Sequence, residues 1–155
     1  VPAADRRAQR DALLELGGLV ARLDAAHQTA VSLQAELGLL AESLEDVEVP
    51  EAVLSLVESV SEQVDDLEGK LARGGGFGSV RPRPLYARMT RLYGNLNSYT
   101  EGPSAFQLER IDLHAQELEG LVEELNRVIA DEIANLNTTM EQNGIQRIAT
   151  QQGKE

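Results

Sequence analysis

His27 and His114 are the two histidines of this chain and its first candidates for metal or acid–base chemistry. A di-iron bundle presents Glu-x-x-His on two helices. Asp24 stands three residues before His27, but Ile111 stands three before His114, so the motif is not duplicated. Zinc requires further nitrogen or sulfur ligands, and cysteine is absent, which also excludes disulfides and thiolate catalysis. His27 reads as a hydrogen-bonded bundle histidine. His114, between Asp112 and Gln116, reads as a helix-surface residue. The run Gly74-Gly75-Gly76-Phe77-Gly78-Ser79 has the glycine content of a phosphate loop, but no Gly-Lys-Ser/Thr follows and its flanks read as helices, so it reads as a connector. No Gly-x-Ser-x-Gly elbow is present. Glu117, Glu119, Glu123 and Glu124 fall on solvated helix faces. Asn137-Thr138-Thr139 is a formal glycosylation sequon inside an expected helix. No catalytic, cofactor-binding or metal-ligating residue is expected, and the chain reads as non-enzymatic.

One local contrast stands out. Arg81, Arg83, Arg88 and Arg91 lie with Tyr86 and Tyr93 in a stretch without acids. Arg and Tyr are enriched where proteins meet. These six residues are the candidate docking site for an acidic partner or a neighbouring domain. The competing reading is that they pair within the chain, against its acidic long helices.

The rest of the composition narrows the function. Lys and Arg number 14 against 26 Asp and Glu, a net charge of −12 over 155 residues. That balance argues against a nucleic-acid binder, which needs surplus cations, and against electrostatic attachment to anionic lipid. Aromatic residues are 3% and Trp is absent, so a sugar-stacking surface is disfavoured. The apolar content of 42% is that of a globular chain, and no apolar run approaches the ~20 residues that span a bilayer. Val1-Pro2-Ala3-Ala4-Asp5 has neither an initiator Met nor an apolar signal segment, and reads as a processed end or a cut within a longer product.

Helical periodicity runs from end to end. In the first helix, about 4–46, Leu13, Leu16, Val20, Leu23, Ala30, Leu37, Ala41 and Leu44 form a heptad seam that Leu19, Ala26, Leu33 and Leu40 widen. His27 and Gln34 share that seam, and Gly17-Gly18 suggests a close helix approach. A second helix, about 50–72, opens on Pro50 and repeats Val53, Val57, Val60, Val64, Leu67 and Leu71. After a loop at about 73–83, a third helix, about 84–99, carries Leu85, Met89, Leu92, Leu96 and Tyr99. Ser104 and Gln107 read as a capping box for a fourth helix, about 105–143, with Leu108, Ile111, Ala115, Leu118, Val122, Leu125, Ile129, Ile133, Leu136 and Met140 along its seam. The spacing changes between Ile129 and Ile133, a stutter. Asn143-Gly144 is the expected stop, and 150–155 a polar tail.

The fold expected is an all-α, elongated antiparallel helical bundle forming a single domain over 1–149. Two long helices of about 40 residues would each reach about 60 Å. The two shorter helices nearly match that length together, which favours placing them end to end as an interrupted third strut. A four-helix up-down bundle with two short members is the alternative.

The run Leu85-Tyr-Ala-Arg-Met-Thr-Arg-Leu-Tyr-Gly-Asn-Leu, then Glu101-Gly-Pro-Ser-Ala-Phe-Gln, then Leu118 to Leu136 ending Ala-Asn-Leu-Asn, resembles the C-terminal helical domain of bacterial sortilin-like (VPS10/BNR-repeat) β-propeller proteins. The start, Val1-Pro-Ala-Ala-Asp-Arg-Arg-Ala-Gln-Arg, is similar to the junction where that family passes from its β-domain into helices. The propeller and its Asp-box repeats are not in these residues, so no catalytic residue carries over. The resemblance implies a periplasmic or otherwise extracytoplasmic setting. It also implies a structural, interaction-type module. The absence of a site, the elongated acidic surface and the Arg/Tyr stretch read as docking onto a larger assembly, either a parent propeller or a multi-subunit, membrane-associated complex. The alternative the resemblance raises is a helical domain supporting a BNR-propeller glycosyl-hydrolase-like protein. No cofactor, nucleic acid or transmembrane segment is expected.

Overall fold

The computed structural model describes residues 2–71 and 84–145. Of these residues 87% are helical and none is in a strand, so the chain is an all-α helical bundle. The elements are α1 (Ala3–Leu44), α2 (Glu51–Leu71), α3 (Leu85–Ser98), α4 (Ala105–Arg127), a π-helical turn (Val128–Ile133) and α5 (Ala134–Gln142). The expected loop at 73–83 and the polar tail at 150–155 lie outside the described residues.

The residues gather into two compact units: the described parts of Val1–Ala26 with Lys70–Leu121, and of His27–Gly69 with Val122–Glu155. The first unit holds the start of α1, the end of α2, α3 and most of α4. Its core is Ala12, Leu16, Leu19, Leu23, Leu85, Met89, Leu92, Leu96, Ile111, Leu118 and Leu121, with Ala26 and Leu71. The second holds the rest of α1, most of α2, the end of α4 and α5. Its core is Ala30, Leu33, Leu37, Leu40 and Leu44 from α1, the valine stripe Val53, Val57, Val60 and Val64 with Leu67 from α2, and Leu125, Val128, Ile133, Leu136 and Met140. Each buried aliphatic side chain of this size contributes about 1.5–3 kcal/mol, which offsets the low helix propensity of the α2 valines.

The buried stripe of α1 runs 12-16-19-23-26-30-33-37-40-44, an unbroken alternation of four and three. It takes in Leu16, Leu23, Ala30, Leu37 and Leu44 of the expected seam and the residues expected to widen it, Leu19, Ala26, Leu33 and Leu40. Leu13, Val20, His27 and Gln34 form its half-buried flank and Ala41 is exposed. Gly17 and Gly18 sit in continuous helix, and a Cβ at either would meet nothing within 4 Å, so no close helix approach requires them.

In α4 the same pattern appears. Ile111, His114, Leu118, Leu121, Leu125 and Val128 are buried, while Ala115, Val122 and Ile129 form the flank and Leu108 is exposed. Continued as an α-helix, this stripe would next bury Glu132. Instead Val128 is followed by buried Ile133, five residues on, and the π-helical turn absorbs the extra residue. The expected stutter is thus a one-residue π insertion that keeps Glu132 out of the core and restores the stripe at Leu136 and Met140.

The helix ends are chemically specified. The Ser104 backbone N–H donates to Oε1 of Gln107 at 2.9 Å, and the Gln107 N–H donates to Oγ of Ser104 at 3.2 Å, a reciprocal capping box. At the end of α5, Ile145 N–H donates to Met140 O at 2.9 Å and Gly144 N–H to Glu141 O at 3.1 Å. Gly144 has φ of 72°, the left-handed conformation this Schellman arrangement requires.

Candidate functional site

In the first unit α3 and α4 are joined by the turn at 99–104. The turn is held on α1: Gln9 donates from Nε2 to the carbonyl oxygens of Leu96 at 2.7 Å and Tyr99 at 2.6 Å, satisfying groups that the end of α3 leaves unpaired. Gly102 packs so closely on Asp5 that a Cβ would lie 3.2 Å from Oδ1. Tyr99, expected on the α3 seam, is instead extended, with φ of −90° and ψ of 144°, and is 61% exposed. The helix ends one residue before it, so its side chain leaves the stripe.

Four of the six candidate docking residues are described; Arg81 and Arg83 lie outside the described residues. On α3 the core stripe is Leu85, Met89, Leu92 and Leu96. Tyr86 and Tyr93, seven residues apart, stand along one edge of that stripe, and Arg88 and Arg91 along the other. Helical phase therefore splits the described members of the cluster into a tyrosine edge and an arginine edge.

Arg88, on the arginine edge, reaches α4. Arg88 donates from Nη1 to Oε2 of Glu117 at 2.7 Å and from Nη2 to Oε1 at 2.5 Å, a bidentate pair. Those hydrogen bonds hold the Glu117 carboxyl below its ordinary range, against an opposing effect of burial, and raise Arg88 further above its own. For Arg88 the intramolecular reading is the one realised. Arg91 and Tyr93 are exposed, and Tyr86 is half-buried.

His114 is a correction to the surface reading. It is 5% exposed and occupies a core position between Ile111 and Leu118. Burial lowers its pKa first, and the charges of Arg88 and then Arg110 lower it against the pull of Glu117. The surroundings therefore favour the neutral ring. The spacing 111-114-118 was the available signal, hidden because the position is polar.

His27, in the second unit, has Nε2 at 2.8 Å from Oε1 of Glu68, the hydrogen-bonded role expected of it. A carboxylate only accepts, so the proton is on Nε2. One helical heptad on, Gln34 donates to Asp65 Oδ1 at 2.8 Å. Both residues join α1 to α2. Among the described residues, no group of three or more His, Cys, Asp or Glu side chains is placed to hold a metal ion. No described helix is long and apolar enough to cross a membrane. Asn137 of the sequon lies within α5.

The aromatic residues are distributed unusually. The buried hydrophobic core is built from Leu, Val, Ile, Ala and Met alone. Of the aromatics among the described residues, Tyr93, Tyr99 and Phe106 are exposed, and the guanidinium of Arg110 lies 5.0 Å over the Phe106 ring. No family model, characterised protein or solved structure matches this chain.

Proposed function

We propose that this chain is a non-catalytic structural and protein-interaction module that docks onto a larger, extracytoplasmic or membrane-associated assembly. The observation that carries the reading is the placement of the aromatics. Aromatic side chains bury the most area per residue and ordinarily favour a core or an interface. Here an aliphatic core is complete without them, and Tyr99 and Phe106, each 61% exposed, stand at the two ends of the α3–α4 turn. Arg91 is exposed on the same side of α3 as Arg88. Aromatics and arginine on a rigid helical support are the residues from which interface hot spots are built.

The polar side chains with most chemical potential support the same reading. His27, Gln34, Arg88, Glu117 and Gln9 each join one helix to another. The resemblance of the α3–α4 region to the helical domain of sortilin-like propeller proteins supports an extracytoplasmic setting and makes a parent propeller one form of the assembly. In that form the chain supports a hydrolase-like protein without supplying its catalytic groups.

The test is a variant series followed in gentle extracts of cells that carry the tagged chain. Tyr99→Ser, Phe106→Ser and Arg91→Glu are each expected to shift the chain out of a large particle while leaving its melting temperature unchanged. A large particle indifferent to all three places docking elsewhere on the chain and overturns the role of these residues.

A further inference from the structure

The outer face of α4 carries a second stripe, separate from its core: Phe106, Arg110, Leu113, Glu117 and Gly120, spaced 4-3-4-3. All five residues are exposed. That is the spacing of a seam between helices, and Arg88 of α3 reaches its edge at Glu117.

Its chemistry reads as self-complementary about Leu113. If a second α4 is laid antiparallel across it, Leu113 meets Leu113, Arg110 meets Glu117 of the second copy, and Phe106 meets Gly120 of the second copy. This is the isologous arrangement of a two-fold dimer, in which the Arg110–Glu117 and Phe106–Gly120 contacts each occur twice and the Leu113 pair lies on the axis. A parallel arrangement would instead place Arg110 on Arg110 and Glu117 on Glu117.

Two details fit the antiparallel order. A Cβ on Gly120 would meet nothing within 4 Å, so packing within the chain does not require glycine there. Glycine inside a helix costs about 1 kcal/mol relative to alanine. A flat glycine surface opposite Phe106 gives the ring a place to lie. The charged pair is also preset: Arg88 holds Glu117 from α3, and the Phe106 ring holds the Arg110 guanidinium 5.0 Å above it.

We propose that this chain forms a symmetric, antiparallel dimer through the Phe106–Arg110–Leu113–Glu117–Gly120 face of α4. The dimer needs only this chain, and because it covers Phe106, docking through that ring draws on the monomer. The face covers about four helical turns, which places it among small interfaces. The net charge of −12 per copy opposes association. The dimer is therefore a weak one, populated at high chain concentration.

Sedimentation equilibrium of the purified 155-residue chain tests this. Between about 10 μM and about 1 mM, the mass is expected to rise from 16.8 kDa toward twice that value. Arg110→Glu and Glu117→Arg, each alone, are expected to remain monomeric, because each places like charges opposite one another. An equimolar mixture of the two restores the dimer, since every unlike pair then faces its opposite. Leu113→Glu, at an exposed position that leaves the Arg88–Glu117 pair intact, is expected to abolish association without changing helicity. A wild-type chain that stays monomeric throughout overturns the proposal and leaves the face to a different protein. So does a dimer that Arg110→Glu and Leu113→Glu leave intact.

Discussion

Glu117 accepts both terminal guanidinium nitrogens of Arg88, tying α3 to α4 one turn beyond the buried ring of His114. The pair is partly exposed, with about two-fifths of the Glu117 side chain open to water, so solvent screening limits its worth. Glu117→Gln should lower unfolding free energy by about 0.5–1 kcal/mol at neutral pH. Because the folded-state pKa of Glu117 is depressed, this contribution is present above the ordinary carboxylate value of 4.5 and lost as pH falls through the lower folded value. Urea midpoints of wild type and Glu117→Gln should therefore converge in acid. A difference that persists there contradicts the pairing.

His114 predicts a separate pH dependence. Its folded pKa lies below 6.5, so the unfolded chain binds more protons around and below that value. Stability attributable to the neutral ring is fully present above pH 6.5 and falls as pH drops through the depressed folded value. Arg88, Arg110 and Glu117 are the charges acting on the ring. His114→Leu puts an apolar side chain in the stripe and removes the titration. Urea unfolding should show the wild type losing more stability than the variant between pH 7.5 and pH 5. Parallel losses would place the ring in water.

The two cores make a direct demand. Leu23 in the first unit is fully buried and Leu125 in the second nearly so. An aspartate at either site buries an unpaired charge, a penalty of several kcal/mol that is a large share of a typical domain's stability. Leu23→Asp and Leu125→Asp should each lose the cooperative melt followed by circular dichroism at 222 nm. A variant with full helicity and an unchanged melt would remove its leucine from the core.

The π-helical turn gives a sharper test of register. Deleting Ala130, an exposed residue within it, sets Val128 and Ile133 four apart and lets the stripe continue as plain α-helix. The deletion variant should keep its helicity and melt no lower than wild type. Deleting Glu123, inside regular α4, should lower the melting temperature by several degrees because it displaces every core residue on one side of the cut. Equal effects from the two deletions would contradict the one-residue insertion.

Gly18, exposed in the middle of α1 with open space where a Cβ would stand, should tolerate substitution. Gly18→Ala should stabilise the chain by about 0.5–1 kcal/mol through helix propensity alone. A destabilised variant would mean that another surface closes on this position.

Much of this architecture is legible in the sequence alone. Val53 to Leu71, Leu85 to Leu96, the Ser104–Gln107 box and the Gly144 stop all follow from spacing and residue type. In α1 and α4 the expected seam shares every second position with the buried stripe and lies one residue off at the others, for a shared reason. Apolar residues fill both the core stripe and one flank, so Leu13, Val20, Ala115 and Val122 look as suitable as Ala12, Leu19, His114 and Leu121. Only the helices packed against them decide which edge closes. The split of Tyr86 and Tyr93 from Arg88 and Arg91 was available from helical phase. The choice of Glu117 as the Arg88 partner was not, since α4 offers many acids and tertiary register selects one.

The docking reading stands or falls on the native mass of the particle that carries this chain. In a gentle extract of its own cells, size separation followed by mass spectrometry should find the chain with stoichiometric partners in a particle many times 16.8 kDa. The Tyr99→Ser, Phe106→Ser double variant should leave that particle while still folded. A wild-type chain that migrates alone at its own mass, or at twice that mass, contradicts docking onto a larger assembly.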